Sequence, residues 1–572
     1  VKKIMPSIRW KILDADEAKV NNLQQQLKIH PLLCKLLVQR GIETYDEAHQ
    51  FFRPNLNQLH DPFLMNDMDK AVNRIQQAIA ANEKIIVYGD YDVDGTTAVS
   101  VVYGFFNAFY KNIQYYIPDR YSEGYGISFI GIDWAKTENA TLIIALDCGI
   151  TALEQIDYAQ QKGIDFIICD HHRPGDKLPN AVAVLDAKRK DNTYPYDELS
   201  GCGVGFKLIQ AFAQQFDIDF SEVEKQLDLV AVSIASDIVP VTGENRVLAH
   251  FGLQKLNNNP RPGIKTLIEI SSIKSELTIN SLVFTIGPKI NAAGRIEHGS
   301  NAVKLLVADN LSDAFEFAHV LNSFNAERKG FDKSITEQAL AMLDNDIESH
   351  NKKSTVVVSE GWHKGVIGIV ASRLMESYYR PTIVLAKSNG TMVGSARSVK
   401  DFDVYDALKK CEDLLEKFGG HKYAAGLQMK SSNYEIFCER FEKAVAETIT
   451  DAQLIPEITI DSELELNDIS YSFYNILKQF APFGPGNMTP LFISRNLTDY
   501  GTRLLSDKHL KFSLRNAENQ RASGIGFDMK HHFETLKNNS IDIIYSLEEN
   551  EWQGNKTIEW RIRDIKKVEN DV

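Results

Sequence analysis

From residue 84 onward, short apolar runs alternate with amphipathic stretches. Ile85-Ile86-Val87-Tyr88 is the first run, and Ile113–Ile117, Leu142–Leu146 and Phe166–Ile168 follow. Ala152–Lys162, between the last two, has the residue mix of a helix, and Ala181–Leu185 is expected to be a further strand. Strand, loop, helix, strand in this order predicts parallel βαβ units buried on both faces. Upstream, Leu32, Leu33, Leu36 and Leu37 recur at helical spacing, as do Ala71, Ile75, Ala78 and Ile79. Residues 1–80 therefore read as a peripheral helical segment. Residues 203–300 read as mostly helical, which sets the first α/β domain at 81–310.

The pattern then changes twice. Residues 311–350 are polar and helix-prone and contain no proline. A helix of that length would exceed about 50 Å at ~1.5 Å per residue, so it reads as a connector between two lobes. A second α/β domain is expected at 351–453, with strands at Ser354–Ser359 and Thr382–Ala386 around a helix at Val366–Tyr378. Residues 454–572 turn strand-rich, with runs at Ile458–Ile460, Leu491–Ile493, Leu510–Leu514, Ile541–Tyr545 and Ile558–Ile562. Short strands at near-regular spacing with Gly and Asn turns predict a small β-barrel of the OB-fold type.

Composition narrows the class. The 572 residues are 44% hydrophobic and 24% charged, which excludes general disorder. A net charge of −14 argues against a protein that coats nucleic acid through bulk charge. The last 72 residues carry 12 Lys/Arg against 12 Asp/Glu, so the acidic excess lies in the first 500. The six cysteines are scattered with no CxxC pair, which argues against a disulfide scaffold or a zinc ribbon. No apolar run approaches the ~20 residues that span a bilayer. A soluble cytoplasmic protein with no membrane association is expected.

The chemistry concentrates at the C-terminal ends of the predicted strands. Asp90, Asp92 and Asp94 alternate in Gly89–Gly95; in an extended segment they would point to one side. Asp147-Cys148-Gly149 and Asp170-His171-His172 follow the next two runs, and Asp237 follows an apolar helix. Ligands of open parallel sheets bind at such strand ends. A lone Asp there is most cheaply a turn residue or helix cap. The whole set is not explained that way, because adjacent carboxylates repel unless cations neutralise them. Oxygen ligands with imidazole and no thiolate suit Mn²⁺, Mg²⁺ or Fe²⁺ better than zinc in a thiolate site, and this many carboxylates suit two ions. Two such ions can clamp an in-line phosphoryl displacement.

These motifs resemble the DHH phosphoesterase superfamily. Gly287-Pro-Lys-Ile-Asn-Ala-Ala-Gly-Arg295, Trp362-His-Lys-Gly-Val-Ile-Gly368, Gly394-Ser-Ala-Arg-Ser398 and Phe418-Gly-Gly-His421 with Ala424-Ala-Gly426 narrow the resemblance to the RecJ family of exonucleases. Arg40-Gly41 and His60-Asp-Pro-Phe63 are similar to that family as well. The resemblance implies a DHH catalytic domain, a DHHA1 substrate-binding domain and an OB-fold nucleic-acid-binding domain. It implies a 5′→3′ exonuclease that releases mononucleotides from single-stranded DNA with two Mn²⁺ or Mg²⁺ ions. The setting it implies is DNA recombination and repair, as a monomer beside a helicase and a single-strand-binding protein.

Residue by residue, the resemblance makes Asp92, Asp94, Asp147, His171 and Asp237 metal ligands, with Asp94 and Asp147 shared between ions. His172 would contact the scissile phosphate, which completes a catalytic set of Asp94, Asp147, His171 and His172. Many DHH relatives carry His where this chain has Tyr88, and Asp90 is the candidate replacement ligand. Ser395 and Arg397 would grip a 5′-terminal phosphate with Arg120 and Tyr125, since glycine, hydroxyl and guanidinium together suit a phosphate. Lys289, Asn291 and Arg295 would line the strand passage, although helix capping is an alternative for Asn291. His421 is either a substrate contact or a packed turn residue. In the barrel, Tyr500, Phe512, Phe527 and Trp552 are either base-stacking or core aromatics. Gly201-Cys-Gly-Val-Gly-Phe-Lys207 lacks the ending of a phosphate loop, and close helix packing explains it better. Two other functions fit parts of the pattern: a phosphodiesterase acting on short oligonucleotides or cyclic dinucleotides, and a non-catalytic DNA-binding scaffold.

Overall fold

The computed structural model describes residues 8–346, 351–388, 390–537 and 539–568, without the side chain of Trp552. Of the expected 311–350 connector, the last four residues lie outside this set. The described residues form two units: His60–Val239 with Phe251–Pro456, and Trp10–Leu59 with Pro240–His250 and the residues from Glu457 onward. The stretch expected as one N-terminal helical segment is thus divided between them. Among the described residues no helix is long and apolar enough to cross a membrane.

In the first unit the apolar runs become strands β1 (Lys84–Gly89), β2 (Ile113–Tyr116), β3 (Ala140–Leu146), β4 (Asp165–Cys169) and β5 (Ala183–Leu185). They form one parallel sheet in the order β2-β1-β3-β4-β5. Helices α1 (Val93–Asn107), α2 (Phe129–Thr137), α3 (Leu153–Gln161), α4 (Gly201–Gln215) and α5 (Leu227–Ser236) follow in the chain. Ile86, Tyr88, Ile143 and Ala145 pack under α2 and α3 with Ile132, Ala135, Ile156 and Ala159. The alternate residues face α1 and α4. Because both faces are covered, the strands read as continuous apolar runs rather than alternating ones. The chain leaves β1 to one side for β2 and returns to the other side for β3. The switch point therefore lies between the C-terminal ends of β1 and β3, where a crevice opens.

Helix α6 (Gly287–Ile296) leads to α7 (Leu311–Asn345), whose 35 residues make about 52 Å at ~1.5 Å per residue. Helix α7 packs on α6 and also on α8 (Ile367–Tyr378), and so joins the two α/β halves of this unit. The second sheet contains β6 (Thr355–Glu360), β7 (Thr382–Ser388), β8 (Thr391–Arg397), β9 (Lys417–His421) and β10 (Ala424–Lys430), in the order β9-β10-β8-β7-β6. Only β6 and β7 are parallel.

In the second unit, β11 (Phe492–Asp499), β12 (His509–Arg515), β13 (Arg521–Gly526), β14 (Ile541–Trp552) and β15 (Asn555–Lys567) pair in a ring, β11-β12-β13-β15-β14-β11. This closed five-stranded barrel, with one parallel pair between β13 and β15, has the OB-fold pairing order. Its core continues into the N-terminal helices: Leu33, Leu36 and Leu37 share a cluster with Phe480, Phe492, Tyr545 and Trp560. Phe512 is fully buried in that core, whereas Tyr500 and Phe527 are exposed under Arg521 and Arg561. The side chain of Trp552 lies outside the described residues.

Candidate metal centre and phosphate cavity

The carboxylates gather at the switch point, though not along an extended segment as expected. The chain turns helical at Val93, so Asp92 is the N-cap of α1 and accepts from the Gly95 N–H at 3.0 Å. Asp94 lies in the first helical turn. Its carboxylate accepts from the N–H groups of Gly201 and Cys202 at 2.7 and 2.8 Å and from the Ser233 hydroxyl at 2.7 Å. The N-terminus of α4 thus holds this charge in place, where the helix dipole favours an anion. That is what the glycine-rich 201–207 segment does. A Cβ at Gly201 would stand 2.6 Å from Asp147 Cβ and 2.8 Å from its Cα, so only glycine lets the helix end approach this closely.

Asp147 ends β3 in the left-handed region at φ 59°, a conformation that Asp tolerates better than most residues. His171 Nε2 is surrounded by Asp147 Oδ1 at 3.2 Å, Asp237 Oδ2 at 3.5 Å and Asp94 Oδ2 at 3.7 Å. Two groups spaced to hold a cation share His171: Asp94 and Asp237 complete one, Asp147 and His172 the other. Asp147 Oδ1 and both ring nitrogens of His171 are buried without a hydrogen-bond partner. Buried polar atoms are normally satisfied, so these orphans fit cation ligands. Oxygen donors with an imidazole suit Mn²⁺ or Mg²⁺.

The electrostatics agree with that reading. Burial, reinforced by Asp94, Asp92 and Asp237, pushes the Asp147 carboxyl well above its ordinary value. Burial and the charges of Asp94 and Asp92 push Asp237 up to about 8. Burial pulls His171 down to about 4 against the attraction of Asp94, leaving a neutral imidazole able to ligate. His172 differs. Burial disfavours its charge, but the Asp170 hydrogen bond at 2.7 Å and the Asp170 charge outweigh that and raise it to about 9.

Asp170 is an orienting group rather than a member of the cation cluster. It accepts from the N–H groups of Ile150, His171 and His172. Burial raises its pKa, but these bonds and His172 outweigh it and hold the carboxyl at about 2. The far side of His172 meets the Tyr125 hydroxyl at 3.2 Å, and that hydroxyl also reaches the Asp147 carbonyl at 3.1 Å. The structure therefore places the Tyr125 hydroxyl against His172 and the Asp147 backbone, with its ring edge-on to the Tyr91 ring that Arg120 covers. Tyr88 points into the sheet core, donating to the Gly126 carbonyl at 3.0 Å, and is out of play as a ligand. Asp90 is fully buried with Oδ2 unpartnered, beside Asp92, but it joins neither cation-spaced group.

A second feature adjoins the first. A cavity of about 150 Å³ is lined by Val93, Ser236, Asn291, Arg295, Arg328 and Ile369, among others. Arg295 is pulled down to about 10 by burial and by the charges of Arg120, Arg328 and Arg397, with Asp92 opposing. None of these four guanidiniums has a carboxylate within ion-pair distance among the described residues. Arg397 Nη1 donates to Ser395 Oγ at 2.9 Å, and Gly368 at the start of α8 leaves room for both groups, since a Cβ there would stand 3.0 Å from each. Arg120 lies over the Tyr91 ring at 4.8 Å. Asn291 Oδ1 is buried and unpartnered, so it is not spent as a helix cap. Lys289 donates to Asn322 on α7. His421 is exposed, in the same cross-sheet row as Ala424 and Arg397.

Sequence reasoning missed Ser233, Arg328 and the Asp94-holding role of Gly201 and Cys202. Arg328 did leave a signal. The buried stripe of α7 runs Leu321, Asn325, Arg328, Asp332, Ile335, with three polar residues in apolar register.

A parallel sheet with carboxylates and histidines at its switch point, joined by a long helix to a second α/β domain, defines the DHH class. Models for the DHH family N-terminal domain and the DHHA1 domain match residues 84–234 and 351–447, and the RecJ OB domain matches 460–564. The chain is 35% identical to the single-stranded-DNA-specific exonuclease RecJ of Bacillus subtilis, over 97% of this chain and 70% of that protein. It is 31% identical to the Escherichia coli RecJ over 94% of this chain and 96% of that one. The crystal structure of Thermus thermophilus RecJ with Mn²⁺ superimposes with a TM-score of 0.84 at 26% identity, covering 98% of this chain and 80% of that one. The chain belongs to the RecJ family.

Proposed function

We propose that the protein is a single-stranded-DNA-specific 5′→3′ exonuclease that hydrolyses phosphodiester bonds with two Mn²⁺ or Mg²⁺ ions and releases 5′-mononucleotides. The observation that carries this reading is the cluster of Asp94, Asp147, His171 and Asp237 beside a cavity lined by Arg295 and Arg328. The relatives' names and the manganese- and magnesium-bound structures of RecJ support it.

Asp92, Asp94, Asp147, His171 and Asp237 would hold the ions. When bound, the ions would supply Lewis-acid polarisation of the scissile phosphate and a lower pKa for a coordinated water. The protein's own part is positioning. Helix α4 and Ser233 fix the Asp94 carboxylate before any ion arrives. Asp170 fixes the His172 ring and keeps it protonated near neutral pH, so a cationic donor faces the charge that develops on the phosphate. Arg120, Arg295, Arg328 and Arg397 with Ser395 would grip a terminal phosphate. A strand seated this way presents only its terminal phosphodiester to the centre, which gives exonucleolytic cutting from the 5′ end.

The OB barrel would bind strand through Tyr500 and Phe527, each an exposed ring beneath an arginine. The working context is cytoplasmic recombination and repair, as a monomer beside a helicase and a single-strand-binding protein. A substrate panel tests the reading: long single strands should be degraded far faster than duplexes, dinucleotides or cyclic dinucleotides. Preference for dinucleotides would support the short-oligonucleotide phosphodiesterase instead.

A further inference from the structure

Close to the charged centre, two large apolar side chains are left to solvent. Phe284 is 76% exposed and Ile238 63% exposed. Ile238 directly follows Asp237, and its φ is 61°, a left-handed backbone that a β-branched residue adopts only under strain. Phe284 sits in a five-residue π-helical turn, Leu282–Ile286, immediately before α6. Such turns are rare and are frequently found at functional sites. The two segments approach each other: Ser236 Oγ lies 2.6 Å, and the Leu282 carbonyl 3.0 Å, from where a Cβ on Gly287 would stand. Ser236, Val283 and Gly287 line the arginine cavity together. The corner after α5 and the turn before α6 therefore frame the same opening.

We propose that Phe284 and Ile238 form an apolar platform that holds a base of the bound single strand beside Asp237. The proposal rests on the exonuclease reading for its ligand. The left-handed φ of Ile238 ends α5 just after its C-cap Asp237, and both this side chain and the Phe284 ring are turned to solvent. A nucleobase offers what both side chains lack, a flat apolar face, while its phosphates suit the neighbouring arginines. A base inside a duplex is already stacked and cannot lie on the platform, so these positioning residues also favour single strands.

Fluorescence anisotropy in EDTA reads the platform without turnover. The probes are a short 5′-phosphorylated strand and the same strand with an abasic residue at each of its first three positions in turn. The wild type should bind one abasic strand about tenfold more weakly than the intact one. Phe284→Ala should weaken intact-strand binding about tenfold and lose that discrimination, and Phe284→Tyr should restore both. Ile238→Gly, which relieves the strain, should weaken binding without lowering thermal stability. Equal binding of all strands by the wild type, or unchanged discrimination in Phe284→Ala, would overturn the proposal. A wild type that discriminates but releases no nucleotides when Mn²⁺ is added would keep the platform and refute the exonuclease reading.

Discussion

Gly201 and Gly203 lie two residues apart at the start of α4, yet alanine should act on them with opposite sign. At Gly201 an added Cβ meets Asp147 Cβ at 2.6 Å and Cα at 2.8 Å, contacts that real Cβ atoms do not make. The backbone must shift, and the shift pulls the Gly201 and Cys202 N–H groups off the buried Asp94 carboxylate. Each such charge-assisted bond contributes about 1.5–3 kcal/mol. Alanine returns up to ~1 kcal/mol of helix propensity. Gly201→Ala should therefore cost about 2–5 kcal/mol and weaken Mn²⁺ binding by about 10–100-fold, the usual effect of disturbing a ligand's supporting groups. At Gly203 the nearest atoms are Leu199 Cβ and Ser200 Oγ at 3.4 Å, ordinary contacts. Gly203→Ala should leave Mn²⁺ affinity unchanged and stabilise by up to ~1 kcal/mol. Denaturant unfolding of the metal-free protein and calorimetric titration with Mn²⁺ measure the two effects. Equal damage by both substitutions, or wild-type Mn²⁺ affinity in Gly201→Ala, would refute the idea that the helix end holds Asp94.

Three further outcomes are expected. Asp237 is raised to about 8 by burial and neighbouring charge, so the metal-free fold binds more protons than the unfolded chain between about pH 4 and 8 and loses stability as pH rises through that window; Mn²⁺, which needs the ionised carboxylate, should bind more tightly across the same window and release protons, visible as a buffer-dependent calorimetric heat. Arg328→Ala should weaken binding of a 5′-phosphorylated strand about tenfold or more while changing a 5′-hydroxyl strand little, as measured by competition binding; equal loss on both strands would remove Arg328 from the phosphate cavity. Asp170→Asn removes the charge that lifts His172 to about 9, so the alkaline limb of the pH–rate profile should move toward 6.5, and an unmoved limb would assign it to another group.

Much of the first sheet could be read from sequence because its strands are buried on both faces and so appear as unbroken apolar runs. The carboxylates and histidines at the strand ends were legible for the same reason. The alternation of Asp90, Asp92 and Asp94 misled, because Asp92 caps a helix that begins one residue later. Strands β8 and β10 were hidden. Their inward positions include small residues such as Gly394, Ala396 and Ala425, which carry little hydrophobic signal. Strand β13, Arg521–Gly526, was missed for the same lack of bulk. The shared core of Leu33, Leu36 and Leu37 with Phe492 and Tyr545 joins segments more than four hundred residues apart, and no local pattern encodes it. No local pattern signals that the Tyr125 hydroxyl meets His172 and the Asp147 carbonyl, because these partners come from separate strand ends.

The central claim is that the Asp94, Asp147, His171 and Asp237 cluster drives hydrolysis of single-stranded DNA from its 5′ end. A time course on one single strand, labelled at the 5′ end in one set and at the 3′ end in the other, tests it most directly with Mn²⁺ present and absent. The 5′ label should appear at once as a mononucleotide, while the 3′ label stays on progressively shorter strands. Omission of Mn²⁺, Asp94→Ala and His171→Ala should each abolish release. Release from the 3′ end, or undiminished release by either variant, would contradict the account.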